Sequence, residues 1–273
     1  MKRNNIRALC ECSVMIALSL VLGLVKIAEM PYGGSVTIAS MLPVAIVAYR
    51  HGLKWGMGTA LASSVLQLLT GLKNFSYFTT WQSIVALALF DYIFAFCVFG
   101  LSGIFKKQMK QNLALALGTF LASLLRYVCH VISGATIWAG LSIPDSAALL
   151  YSLGYNATYM VPETIILVAC AIYLGSVVDF RRELPQRMRA ESIDKTQAAL
   201  YASAGLCVLA AVITDCALIF PKLQSMTGEF IIMGLRYVNW LAVGIVTLSL
   251  FAIGAGLLLF ALKKGGADTA KQS

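Results

Sequence analysis

The stretch Asn112-Leu-Ala-Leu-Ala-Leu-Gly-Thr-Phe120-Leu-Ala-Ser-Leu-Leu-Arg126-Tyr-Val-Cys-His130-Val-Ile-Ser-Gly134-Ala-Thr-Ile-Trp138-Ala-Gly140 decides how the rest of the chain is read. It carries no acid and only two basic side chains, and it exceeds the roughly 20 residues, at about 1.5 Å each, that a helix needs to cross a hydrocarbon core of about 30 Å. Arg126, His130, Gly134 and Trp138 recur every four residues. At about 100° per residue, each such step drifts by about 40°, so the four form one slowly winding stripe on a helix. Such a stripe on an otherwise apolar helix faces protein and not lipid.

Working outward, the same pattern repeats. Of the 273 residues, 59% are hydrophobic and 12% charged, and the mean hydropathy is +0.82, more apolar surface than a soluble domain of this length can hide. Membrane spans are expected near 8–28, 36–49, 53–71, 79–105, 112–140, 147–177, 197–220 and 229–262. The second is short and carries Pro43; the connection Met30-Pro31-Tyr32-Gly33-Gly34-Ser35 is rich in helix breakers and reads as a loop. Lys2, Arg3 and Arg7 before the first apolar run resemble a signal peptide, but no small-x-small cleavage site follows, and an uncleaved first helix is expected.

The net charge of +9 would suggest nucleic acid in a soluble protein. Here its placement matters more. With eight spans, the N-terminus, Arg50–Lys54, Lys106–Lys110, Arg181–Lys195 and the C-terminal tail share one side and hold 16 of the 21 Lys and Arg; Lys26, Lys73 and Lys222 lie on the other, with Arg126 and Arg236 inside spans. The positive-inside rule then puts both termini in the cytoplasm of a multi-pass cell-membrane protein in contact with lipid, and gives no role to nucleic acid. The sharpest boundary is the polar stretch from Asp179 to Lys195, with Pro185. It divides the chain into a six-helix core over 1–178, a linker over 179–196 and two further membrane helices with a tail over 197–273. No repeat relates the halves, which argues against an inverted-repeat carrier.

The seven cysteines, Cys10, Cys12, Cys97, Cys129, Cys170, Cys207 and Cys216, lie in or beside apolar segments without metal-ligand spacing, so they are expected to be small buried hydrophobes, with no metal and no cofactor.

An ionisable group at the centre of a membrane helix costs about 2.5–3.5 kcal/mol on insertion scales, so Asp91, Arg126, His130, Glu163 and Asp215 each need a partner or a task. By rise per residue, His130 lies roughly 15 Å from the outer end of its span, Asn156 roughly 14 Å and Asp91 roughly 18 Å. Three polar groups on three helices thus share a depth. Tyr92, Trp138, Tyr151, Tyr155, Tyr159 and Tyr32 surround them, and an acid among aromatic faces suits a flat, nitrogen-rich or cationic small molecule. The loop 32–35 is placed to act as a lid. Each position also has a plainer reading: His130 as a packed histidine, Trp138 and Tyr151 as interfacial belt residues. Arg126 and Glu163 read as a buried structural ion pair below this pocket. There is no His-Glu-x-x-His, no Gly-x-Ser-x-Gly and no phosphate-binding loop with Gly-Lys, so no catalytic residue is assigned and any ATP-driven step belongs to another protein.

Over residues 8 to 178 the chain resembles the thiamin-specific substrate-binding subunits, or S components, of energy-coupling factor transporters of bacteria, and by that resemblance the cell membrane is expected to be a bacterial one. The resemblance rests on four segments in order: Met41-Leu-Pro-Val-Ala-Ile-Val-Ala-Tyr-Arg-His-Gly52, Phe90-Asp-Tyr-Ile-Phe-Ala-Phe96, Arg126-Tyr-Val-Cys-His-Val-Ile-Ser-Gly134 and Tyr151-Ser-Leu-Gly-Tyr-Asn156. It implies an all-α, polytopic transmembrane bundle, with a six-helix S-component core plus two additional C-terminal helices, and a vitamin site gated by the loop containing Tyr32. It implies ligand contact by Asp91 and Tyr92 on the fourth helix, where Glu is the commoner acid, by His130, Gly134 and Trp138 on the fifth, and by Tyr151 and Asn156 on the sixth. It also implies partners: a transmembrane coupling protein, docked through Ser13 and Ala17 on the first helix, and two cytoplasmic ATPases. The expected function is thiamin capture outside the cell for ATP-driven uptake. The alternatives are a thiamin precursor or another heterocyclic vitamin as ligand, a membrane enzyme using Asp91 and His130, and an assembly protein whose polar stripe only joins helices.

Overall fold

The protein, a computed structural model, is described over residues 3–139, 148–188, 195–224 and 230–270. Eight principal helices run through these residues: α1 (Arg3–Leu24), α2 (Leu42–His51), α3 (Leu53–Thr70), α4 (Trp81–Lys107), α5 (Gln111–Thr136), α6 (Ala148–Val177), α7 (Lys195–Ile219) and α8 (Trp240–Ala270). Six of them, α1 and α4 to α8, are long and apolar enough to cross a membrane by length and composition. Their large apolar side chains point outward, as Val14, Leu18 and Val21 do on α1 and Leu241 and Leu248 on α8. That is the packing of a bundle whose solvent is hydrocarbon.

The second expected span is corrected. Ser35–Thr37 is a strand, β2, paired antiparallel with β1 (Lys26–Glu29) around a 3-10 turn at Pro31–Gly33. The helix that follows has ten residues, about 15 Å, too short to span. Pro43 sits in its first turn, where a missing N–H is harmless, and Leu42 to Tyr49 are all buried. α2 is therefore an internal post around which α1, α3, α4 and α5 pack, with α6 touching it more lightly. α3 has the length of a span, 18 residues, but Lys54, Thr59, Ser63, Ser64 and Gln67 lower its hydropathy.

Three other boundaries move. The first helix ends at Leu24, because Lys26 already belongs to β1. α5 ends at Thr136 because the N–H groups of Ile137 and Trp138 both donate to the Ser133 carbonyl. α8 starts at Trp240 because Ile232–Tyr237 forms a separate 3-10 turn. The stretch read as a plain linker contains a short ribbon pairing Val178–Asp179 with Gln186–Arg187; residues 189–194 lie outside the described residues. The cysteines are unpaired, and only Cys12 and Cys216 are buried while Cys10 is exposed. Burial of all seven was the wrong expectation, since an outward helix position can face lipid.

Charged residues collect at opposite ends of the bundle. At one end Glu11 of α1 accepts from Arg50 and contacts His51, while Arg50 also donates to the carbonyls of Phe180, Arg182 and Glu183. At the other, Lys26 and Lys73 share the carboxylate of Glu29 at 2.8 and 3.1 Å. The α7–α8 hairpin packs against α6, with Thr247 donating to Asp215 at 2.8 Å between its two helices. That bond partners Asp215, which is half-buried between the two helices.

Candidate binding site

A cavity of about 220 Å³ opens toward the Lys26 and Lys73 end, against roughly 10–15 Å³ for one water. It has room for a small organic molecule. All eight residues expected to meet a ligand, Tyr32, Asp91, Tyr92, His130, Gly134, Trp138, Tyr151 and Asn156, line it. Their roles differ.

Asp91 is at the centre, in a segment of α4 that departs from α-helical geometry. Ala88–Phe94 is a π-helix, whose wider turn shifts the rotation of every side chain beyond it. The carboxylate meets His130 Nδ1 through Oδ1 at 3.1 Å and accepts from Trp138 Nε1 through Oδ2 at 2.9 Å. Arg126 Nε donates to His130 Nε2 at 3.3 Å. A guanidinium can only donate, so Nε2 is the acceptor nitrogen and Nδ1 carries the proton facing Asp91. Two of about four acceptor positions on the carboxylate are then used, and the remainder serve the cavity.

Trp138 is buried, not an interfacial belt residue. The early end of α5 turns it inward, where it meets Phe78 edge-on at 4.8 Å and lies 5.9 and 6.1 Å from the rings of Tyr77 and Tyr32. Tyr32 reaches this cluster from a left-handed backbone conformation, φ +64°, a cost a non-glycine residue meets only where its surroundings hold it. Tyr92 presents its ring, but its hydroxyl donates to the Gly71 carbonyl at 3.1 Å and accepts from Asn74 at 3.0 Å, so its polar end holds the turn after α3. Asn156 is also committed: its amide N–H groups face the carbonyls of Ser152 and His130, and its oxygen accepts from Tyr159 at 2.6 Å. Tyr151 donates to the Phe230 carbonyl at 2.6 Å.

The Arg126–Glu163 pair, expected below the pocket, forms part of its floor. Arg126 and Glu163 do pair, at 3.0 Å and buried, but both line the cavity, and Arg126 connects the pair to His130. Thr37 donates to the other oxygen of Glu163 at 2.5 Å, tying the floor to the end of β2, and the Arg126 guanidinium lies 4.4 Å over the Phe96 ring.

The β1–β2 turn covers part of the mouth. Tyr155 donates to the Pro31 carbonyl and accepts from the Gly34 N–H at 3.4 Å. At Gly34 a Cβ would lie 2.6 Å from the Tyr159 ring, so only glycine allows this approach. Tyr155 and Tyr159 belong to the four-residue tyrosine spacing visible in the sequence. Asn74, Phe78 and Phe230 left no such signal. Ser13 and Ala17 are exposed on α1 and are not part of the cavity lining.

Residues 9–180 match the family model described as thiamine transporter protein. Thiamine transporter ThiT of Bacillus subtilis (strain 168) is 37% identical over 180 residues, covering 61% of this chain and 90% of that protein. A solved structure of ThiT from Listeria monocytogenes has a TM-score of 0.52 at 22% identity, over 63% of this chain and 94% of that one, a likeness of fold. The family match ends before α7 and α8.

Proposed function

The chain belongs to the thiamine transporter protein family, and from that premise we propose that it captures thiamin at the open end of the cavity as the S component of an energy-coupling factor transporter. The observation that carries the ligand assignment is the Asp91 carboxylate, fixed by His130 and Trp138 and still holding acceptor capacity toward the cavity. Thiamin joins an aminopyrimidine, a flat ring bearing hydrogen-bond donors, to a thiazolium cation. A fixed acceptor suits the first, and the faces of Tyr32, Tyr151 and Trp138 suit both rings by stacking and by attraction of their quadrupoles for the cation. Tyr92, Gly134 and Asn156 shape the wall and hold its neighbours.

In this reading the β1–β2 turn covers bound ligand, the Lys26 and Lys73 end faces outside the cell, and the Arg50 end and both termini face the cytoplasm of a bacterial cell membrane. No bond of thiamin is made or broken, and family membership does not favour the membrane-enzyme alternative or a different vitamin. The chain has no phosphate-binding loop, so uptake depends on a transmembrane coupling protein and two ATPases. Ser13 and Ala17, four residues apart, would let a partner helix approach α1 closely.

The test is titration of thiamin into detergent-purified protein, followed by tryptophan fluorescence, with Asp91→Ala alongside. Saturable quenching that is lost in a folded Asp91→Ala protein is the expected result. An intact wild-type protein that does not respond would refute the thiamin assignment.

A further inference from the structure

The α7–α8 hairpin lies beyond the residues that match the family, yet its connection reaches the cavity. After α7, a 3-10 turn at Phe220–Lys222 leads to Gln224, which bridges antiparallel to Phe230; the Ile231 N–H donates to the Leu223 carbonyl at 2.8 Å. This closure is tight. Leu223 is fully buried, and a Cβ on Gly234 would stand 1.7 Å from the Lys222 carbonyl oxygen, so the backbone approaches there as only glycine permits. The result is a fixed position for Phe230, whose side chain lines the cavity and is 6% exposed. Its ring meets Tyr151 at 5.2 Å and Tyr155 at 5.0 Å, both edge-on, and its carbonyl accepts from the Tyr151 hydroxyl. Gln224 Nε2 donates to the Glu29 carbonyl at 3.4 Å, joining the connection to the β1–β2 hairpin.

We propose that Gln224 and Phe230, among the described residues between α7 and α8, form a second cover of the binding cavity, with Phe230 as a ligand-facing wall residue that also orients Tyr151 and Tyr155. The proposal rests on the thiamin-binding reading above. Two edge-on contacts of its ring and its backbone carbonyl hold the tyrosines beside it in the cavity wall. Tyr155 in turn holds Pro31 and Gly34 of the first cover. Removing the Phe230 ring opens the wall and loosens both covers, which acts mainly on ligand release, the step where most changes in affinity between related complexes arise.

The experiment compares the full-length wild type with Phe230→Ala and Asp215→Asn in detergent, measuring thiamin affinity and release by tryptophan fluorescence and the melting temperature without ligand. Asp215→Asn perturbs the same hairpin at its bond to Thr247, outside the cavity. Phe230→Ala is expected to weaken binding by about tenfold, chiefly through faster release, while Asp215→Asn retains wild-type affinity. Wild-type affinity and release in Phe230→Ala would overturn the second cover and leave the thiamin reading intact; a wild type that does not bind thiamin would overturn the reading itself, and the inference with it. If Phe230→Ala does not fold, Phe230→Trp decides: a larger quenching amplitude than wild type supports a ligand-facing position, and an unchanged amplitude overturns it.

Discussion

The indole N–H of Trp138 donates to the Asp91 carboxylate at 2.9 Å, joining the turn just past the end of α5 to the π-helical segment of α4. Neither side chain is placed by a regular helix: one helix has ended and the other has widened. The bond leaves the acid anchored and oriented toward the cavity.

Asp91→Asn places an amide where His130 and Trp138 both offer N–H groups. Its single oxygen cannot replace two, and its NH₂ faces a donor. Hydrogen bonds to charged groups contribute about 1.5–3 kcal/mol, so thiamin affinity should fall by about 10- to 100-fold at 1.4 kcal/mol per decade. Isothermal titration with the purified variant measures this, and wild-type affinity would show that Asp91 does not hold the ligand.

Tyr155→Phe removes the bonds to Pro31 and Gly34 of the β1–β2 turn while keeping the ring against Phe230. Net loss of about 1 kcal/mol of closure predicts release about five-fold faster, with association little changed. Stopped-flow fluorescence separates the two rates, and slower association at unchanged release would contradict a holding role.

Gly34→Ala forces a methyl group against the Tyr159 ring, at 2.6 and 2.7 Å in the present geometry. The turn must move outward. Thiamin affinity should drop by at least about tenfold, because one displaced cover exposes the bound ligand, while the bundle melts within a few degrees of wild type.

Arg126→Ala and Glu163→Ala each strand a buried charge, at a cost of about 3–5 kcal/mol, whereas replacing both by apolar residues costs far less. The double variant Arg126→Met with Glu163→Leu should therefore melt higher than either single alanine variant. Adding the double variant Arg126→Ala with Glu163→Ala to the thermal-shift series completes the cycle; additive losses there would mean that the pair is not coupled.

Hydrogen bonding to Lys26, followed by Lys73, holds the Glu29 carboxyl below its ordinary value of 4.5. A depressed folded value means that its stabilising contribution is complete above that ordinary value and is lost as pH falls through the lower folded one. Ligand release should thus be insensitive to Glu29 from neutral pH down to about 5 and accelerate only in more acidic solution. Glu29→Gln should remove the acid-dependent rise. A rise that survives in the variant would assign it to another group.

The chain's own pattern determined the membrane bundle, the two C-terminal helices and the shared depth of Asp91, His130 and Asn156, because hydropathy, length and four-residue spacing are properties of a single helix. It also brought Trp138, Tyr151 and Tyr32 into view as aromatic neighbours. Other features depended on helices meeting. The Arg126–Glu163 pair reads as lying below the pocket when depth is counted along each helix separately, but helix rotation makes it the floor. The π turn at Asp91 is a one-residue slip in backbone pairing that no composition marks. The inward turn of Trp138 follows from two N–H groups competing for the Ser133 carbonyl. Phe230, on a connection that reads as part of a span, becomes cavity wall only through its contacts with Tyr151 and Tyr155. The tertiary structure decided these points because a cavity is defined by surfaces from several segments, and its shape depends on their mutual rotation and close packing, which no one segment encodes.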